Sequence, residues 1–449
     1  MLKATKVDML SGSIFKGLLS MTIPIMIMNV MQSTFSLIDM TILGKFANDT
    51  AVGAVGTCST LISLFTGLLI GVSTGANVVV AKRLGQGDRE RAEKTVGTSI
   101  LFAVVGGIVM LIIGVLFARE FLMLIKCPEN MLDEAALYFK LYFLGVPFLM
   151  MYNFGASILR AAGDTKRPMY YLIIGGVVKL VLNFCFITMF NMSVEGVGIA
   201  TIISNGVMGA LAFLALKKSD DKVSFRFDRF RFYSSELKDI LYIGIPAGIE
   251  TALYSLANSV IVTAVNGFGP DAATGVSIAN QFDGILYQIS CATAYATTPY
   301  IAQNIGAKNF DRAKKTLGNS ILITVMFGAF FGALSAIFSP ELSSLVSSTP
   351  AVIEFSCQKM RIVSSTYFIC GINHVMGGVL RGMGKPIVPT VATMLFMCIM
   401  RFPWVYFIFP LCPNLTFLYL VWPIGWILSI TTQLIAYFPN MSKLKKELR

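Results

Sequence analysis

Runs of about twenty apolar residues, separated by short polar stretches, recur along the chain, and this is the length a helix needs to cross roughly 30 Å of hydrocarbon. Twelve can be marked, at 17–43, 53–81, 97–118, 137–159, 168–191, 195–216, 239–266, 272–301, 317–339, 362–380, 387–411 and 415–439. The pattern predicts an all-α integral membrane protein of twelve transmembrane helices. The first run lacks a small-residue cleavage site and is as long as the others, so it is expected to stay in place as a span.

The spans fall into two copies. "AKRLGQGDRERAEKTVGTSIL" (81–101) aligns with "AQNIGAKNFDRAKKTLGNSIL" (302–322), and "LRAAGDTKRP" (159–168) with "LRGMGKPIVP" (380–389), both at a shift of 221. Pro24 of "TIPIMI" matches Pro246 of "GIPAGI" at nearly the same shift. Copies of six spans share their orientation, so two six-helix lobes related by a pseudo-twofold axis along the membrane normal are expected. The boundaries read from the sequence are an N-lobe over 1–217, a charged cytoplasmic linker over 218–237 and a C-lobe over 238–449.

Composition agrees: 55% of residues are apolar and 13% charged, and the mean hydropathy is +0.72. The net charge of +12 changes the picture only through its placement. Most of the Lys and Arg fall on alternate loops and the tail, whereas the opposite loops hold only Lys45, Arg119, Lys126, Lys359 and Arg361. This is the positive-inside bias, with both termini cytoplasmic in a multi-pass plasma (inner) membrane protein; no nucleic-acid partner is needed to explain the charge. The eight cysteines show no metal spacing, so neither a metal nor a cofactor is expected. One histidine and the lack of HExxH, or of GxSxG with triad partners, argue against a membrane-embedded enzyme, and the lack of a soluble output domain argues against a sensor.

A charge deep in a span costs roughly 2.5–3.5 kcal/mol even on lenient scales, so each one calls for an explanation. Among the acids these are Asp39, Glu250 and Asp283; among the bases, Lys179 and Arg401, with Lys140 near enough to a span end to snorkel. Gln32, Ser36 and Asp39 form a polar stripe on the first span, Lys179 and Asn183 share a face of the fifth, and Thr201 and Asn205 share a face of the sixth. If these converge, Lys179 is the counter-ion of Asp39, and protonation of Asp39 would loosen the pair. The second half is polar at Glu250, Tyr254 and Asn258, at Asn280, Asp283, Tyr287 and Cys291, and at Asn373 with His374; Arg401 would take Asp283 or Glu250 as its partner. The expected walls of a substrate cavity are thus Gln32, Ser36, Asn205, Glu250, Tyr254, Asn258, Asn280, Asp283, Tyr287, Asn373, His374 and Arg401. Carboxylates with phenol and amide neighbours suit an amphipathic cationic compound or a coupling cation.

The early "TIP", "SLIDMTILGKF", "GAVG", "LGQGDRERA", "LRAAGDTKRPM", "GVGIATIIS" and "IGIPAGIE", in this order and partly repeated, resemble the multidrug and toxic compound extrusion (MATE) family over nearly the whole chain. The resemblance implies a V-shaped, alternating-access antiporter that exports organic cations or other amphipathic compounds against inward H+ or Na+. It also implies a first-lobe ion site built from a first-span aspartate, an asparagine and aspartate four apart in the fifth span, and a sixth-span threonine. Asp39 and Thr201 fit, but Lys179 stands at the asparagine and Asn183 at the aspartate, which disfavours Na+ and favours H+ as the coupling ion. In the second lobe Glu250 lies only four residues after Pro246, and Cys370 falls about where a family aspartate would stand, so that site is not carried over. The alternative within membrane transport is a flippase for lipid-linked sugars, against which stand twelve spans and one deep Arg. A monomer is expected.

Overall fold

In a computed structural model of the chain, residues 6–46, 49–218 and 223–447 are described, without the side chains of 49 and 254–259. Among them there is helix and no strand. The helices are α1 (Ile14–Phe46), α2 (Asp49–Gly85), α3 (Arg89–Leu116), α4 (Ala118–Leu124), α5 (Leu132–Leu144), α6 (Val146–Ala161), α7 (Lys166–Thr188), α8 (Val194–Lys217) and α9 (Ser234–Asn266). They continue as α10 (Pro270–Gly306), α11 (Phe310–Ile337), α12 (Ser339–Ser344), α13 (Pro350–Val363), α14 (Tyr367–Gly382), α15 (Ile387–Thr393), α16 (Arg401–Pro403), α17 (Leu415–Tyr419) and α18 (Val421–Glu447).

Nine helical stretches among the described residues are long and apolar enough to cross a membrane, and a pair bent by 45°, Glu129–Leu144 with Val146–Ala161, makes ten. The expected seventh and eighth spans are α9 and α10, of 33 and 37 residues, which are not among the ten. In α10 the reason is the polar content that drew attention to it, from Asn280 and Asp283 onward.

The duplication is visible in the helix ends. Asp49–Gly85 and Pro270–Gly306 have 37 residues each, Arg89–Leu116 and Phe310–Ile337 have 28, and Val146–Ala161 and Tyr367–Gly382 have 16, every pair offset by 221. The local causes repeat too. Asp88 caps α3 by accepting from the Arg91 N–H at 2.9 Å, and Asn309 caps α11 by accepting from the Arg312 N–H at 3.1 Å. After α6 and α14 the chain turns through Gly163 (φ 84°) and Gly384 (φ 76°), a left-handed conformation that favours glycine. The same pair of bonds closes each turn: Gly163 and Asp164 donate to Arg160 and Leu159, and Gly384 and Lys385 to Arg381 and Leu380.

By internal packing the chain divides into two compact units, one of Met1–Val7 and Met31–Gly248, the other of Asp8–Val30 and Ile249–Arg449. One division precedes α1 and the other two fall inside α1 and α9, whereas the boundary expected from the sequence is the 218–237 linker. Side-chain anchors account for this. In the first unit Glu236, at the start of α9, is 2% exposed and accepts from Arg83 (3.1 and 3.3 Å), Arg91 (2.7 and 2.9 Å) and Thr95 (2.9 Å). In the second unit Arg312, the repeat mate of Arg91, donates to the carbonyls of Met9 and Gly12 at 2.9 Å and to that of Ser11, just before α1. The matched arginines thus each fasten the chain at the start of a repeat's first helix.

Removing the Glu236 carboxylate leaves the Arg83 guanidinium buried without its main partner, so Glu236→Ala is expected to cost about 3–5 kcal/mol. Asp239 also meets Arg83, at 2.9 Å, but its side chain is 50% exposed, and Asp239→Ala is expected to cost about 0–1 kcal/mol. Unfolding of both variants in detergent micelles checks the order; equal stabilities would contradict it.

Candidate functional site

In the first unit, α1 and α7 approach closely because Gly176 has no side chain: a Cβ there would lie 1.9 Å from the Phe35 ring. One turn further along both helices the chemistry appears. Asp39, 6% exposed, accepts from the Lys179 ammonium on Oδ2 and from the Asn183 amide on Oδ1. The pairing expected from sequence is present, and Asn183 joins it. Asn183 is fully buried, and its own Oδ1 has no hydrogen-bond partner among the described residues. The Lys179 side chain is 20% exposed, so the pair is open on its cationic side.

The other first-lobe residues separate from this cluster. Thr201 is buried, but its hydroxyl donates to the Val197 carbonyl at 2.7 Å, within its own helix. Asn205 is also buried, its amide near Gly145 at the break between α5 and α6. Gln32 and Ser36 are exposed, with the Ser36 hydroxyl donating to the Gln32 carbonyl at 3.2 Å. Of the stripe on α1, only Asp39 is buried.

The second unit holds two further ion pairs, one buried and one half-buried, and neither uses Arg401, which was expected to pair with Asp283 or Glu250. Glu250 instead meets Arg381 at 2.9 Å and accepts from the Thr393 hydroxyl at 3.3 Å. Asp283 meets Lys359 at 2.9 Å and accepts from the Ser364 hydroxyl at 3.2 Å. The same ammonium donates to Asn280, whose residue is exposed, and lies 5.3 Å from the centre of the Trp422 ring. Arg401, 1% exposed, has its guanidinium carbon 5.6 Å from the centre of the same ring, a cation–π contact.

Lys359 was assigned to an external loop, and the structure corrects this: it is 1% exposed, in the middle of α13. The signal was present in Pro350 at the first turn and in the spacing of Val352, Ser356, Lys359, Met360 and Val363, which share the buried face. Arg381 served only as a marker of the repeat, and its mate Arg160 donates to Ser157 at 2.7 Å.

Among the remaining candidates, Asn373 is buried and accepts from Gln433 at 2.8 Å, a bond between α14 and α18. His374 sits edge-on to Tyr287 with ring centres 5.1 Å apart. Cys370 is fully buried in a cluster with Tyr367, Met397 and Trp426. The side chains of Tyr254 and Asn258 lie outside those described.

Long apolar helices, a 221-residue repeat and charges paired between those helices mark a membrane protein built by duplication. The MatE family pattern matches residues 24–185 and again 246–407, so the chain belongs to the MATE family, whose members are transporters. It is 27% identical to the probable multidrug resistance protein YoeA of Bacillus subtilis, over 84% of this chain and 83% of that one. It is 24% identical to the probable multidrug resistance protein NorM of Thermotoga maritima (86% and 84% covered) and 24% identical to an FAD transporter of Shewanella oneidensis (88% of each). The fold matches the crystal structure of a MATE protein in complex with MaL6, with a TM-score of 0.92, 21% identity and 99% and 100% of the chains covered. It also matches the outward-facing conformation of a multidrug resistance MATE transporter, with a TM-score of 0.90 and the same identity and coverage.

If the Asp283–Lys359 pair holds α10 to α13, Lys359→Ala and Asp283→Ala should each destabilise by about 3–5 kcal/mol. The double variant should fall short of the sum by about 0.5–3 kcal/mol. Unfolding in micelles reads the cycle, and strict additivity would show that the two groups do not act together.

Proposed function

We infer that the chain is a secondary active antiporter of the plasma membrane, exporting amphipathic, cationic compounds by alternating access in exchange for inward H+, with both termini on the cytoplasmic side. The observation that carries this reading is the buried Asp39 carboxylate held by Lys179 and Asn183. Each carboxylate oxygen already faces an N–H donor. A metal cation would have to displace both donors and approach an ammonium, whereas a proton needs only the carboxylate itself. Protonation removes the negative charge, leaving Lys179 without its counter-ion in a region where a lone charge is costly. Lys179 can then swing toward its exposed side, and α1 and α7 repack about the Phe35–Gly176 contact.

Coupling is favoured energetically. Moving one monovalent cation outward against an interior-negative potential costs about 2.3 kcal/mol per 100 mV, and one inward proton cancels that electrical cost. A second reading is export of an anionic, flavin-like cargo. In the second unit the deep bases Lys359, Arg381 and Arg401 outnumber the acids Glu250 and Asp283, and one relative is described as an FAD transporter.

Proteoliposomes loaded with a fluorescent cation test the first reading. A pH gradient should drive efflux in the wild type, an Na+ gradient alone should not, and Asp39→Asn should lower the pH-driven rate by about a hundredfold, the lower range for losing a proton-transfer group. Efflux by Asp39→Asn at the wild-type rate would refute the assignment, and flavin efflux without cation efflux would favour the second reading.

A further inference from the structure

Between α8 and α9 runs a strap of alternating arginine and phenylalanine, "SFRFDRFRFY" (224–233), that the transport reading does not use. Its start is fixed: Val223, Ser224 and Phe225 are buried, and the Phe225 ring packs on Phe213, Phe227 and Phe230 at 5.1, 5.1 and 5.6 Å. Its end is fixed as well, since Thr98 donates to the Arg231 carbonyl at 3.3 Å and accepts from the Tyr233 N–H at 3.2 Å. Midway, the Arg229 carbonyl rests on Gly97, where a Cβ would lie 2.0 Å away. The repeat mate, Gly318, has open space at the corresponding point. The close approach therefore belongs to the strap and not to the repeat.

Gly97 begins the third apolar run, and the eight residues of α3 before it, "RERAEKTV", carry the charges. The strap is thus held where hydrocarbon gives way to headgroups. At that level Phe227, Phe230 and Phe232 are 65%, 37% and 43% exposed. Two of the strap's arginines meet acids that already have partners: Arg226 lies 3.6 Å from Glu93, which Arg89 holds at 3.2 Å, and Arg229 lies 3.5 Å from Glu90, which Lys94 holds at 2.9 Å. Asp228 is the strap's own acid, 3.6 Å from Arg229. Positive charge remains in excess on the strap.

We propose that this strap is a docking surface for anionic phospholipid of the leaflet it faces, with the three rings set at the boundary between headgroups and acyl chains and Arg226, Arg229 and Arg231 on the phosphates. Rings with interleaved bases suit that boundary, where an apolar body and a charged tip are solvated at different depths. The inference rests on the membrane placement of the chain and not on its coupling ion or cargo.

The test is a Phe227→Trp variant in vesicles of phosphatidylcholine doped with brominated phosphatidylglycerol or, separately, brominated phosphatidylcholine, with the wild-type signal subtracted. Both lipids should quench the new tryptophan, and the anionic one should do so at least about fivefold more effectively, the enrichment expected from a single surface arginine. Salt should erode the preference. Adding Arg226→Gln, Arg229→Gln and Arg231→Gln should bring the ratio near one while quenching persists. No quenching, equal quenching by both lipids, or a preference indifferent to salt would overturn the proposal, and none of these outcomes bears on whether a pH gradient drives export.

Discussion

A carboxylate inside a membrane span has no water to solvate it, so it survives ionised only where donors are brought to both of its oxygens. Asp39, Glu250 and Asp283 each meet a base and at least one further donor: Asn183, Thr393 and Ser364 in turn. The helices that supply those donors are thereby fixed in register, because breaking such a pair is costly even where forming it gains little. The Asp283–Lys359 pair is closed, its base 2% exposed, whereas the bases of the other two remain partly exposed, Lys179 at 20% and Arg381 at 13%. A pair with one open side can be taken apart and remade, which is what a coupling site requires, whereas a closed one serves better to hold helices together.

The duplication sets the helix framework but not the sites on it: Asp39–Lys179 joins α1 to α7, whereas Glu250–Arg381 joins α9 to α14 and Asp283–Lys359 joins α10 to α13. Helix ends, caps and glycine turns follow the 221-residue offset closely. The chemistry does not: Arg91 binds a carboxylate where Arg312 binds carbonyls, and Arg160 binds a serine where Arg381 binds Glu250. The backbone framework has kept its symmetry while the side chains on it have diverged. One structural difference accompanies this. The fifth span of the first unit is the regular helix α7, whereas its counterpart passes through π-helical stretches at Met394–Ile399 and Trp404–Ile408, on either side of Arg401.

The fold and the repeat were legible in the sequence because both rest on patterns that survive without coordinates, namely apolar run length and self-alignment. The Asp39–Lys179 contact was legible because few charges interrupt the first-lobe spans, so each had few possible partners. In the second lobe the bases that meet Glu250 and Asp283 are Arg381 and Lys359, which lie just outside the span marked at 362–380. Lys359 was counted with a loop because its span was started at 362, while Pro350 starts the helix twelve residues earlier. Arg381 was read as a repeat marker at a span end. The stripe Gln32–Ser36–Asp39 misled in another way: a polar face predicts that a helix side is not packed in apolar core, but it does not say which members are buried.

In the function we propose, Asp39 takes up and releases the coupling proton while Lys179 and Asn183 respond. Infrared difference spectroscopy on the protein in lipid, titrated with acid, tests it most directly by following the protonated-carboxyl stretch in the wild type and in Asp39→Asn. A band that grows over the pH range in which the gradient drives export, and is missing from the variant, is the predicted result. An Asp39 that stays ionised throughout that range, or a band that persists unchanged in the variant, would contradict it.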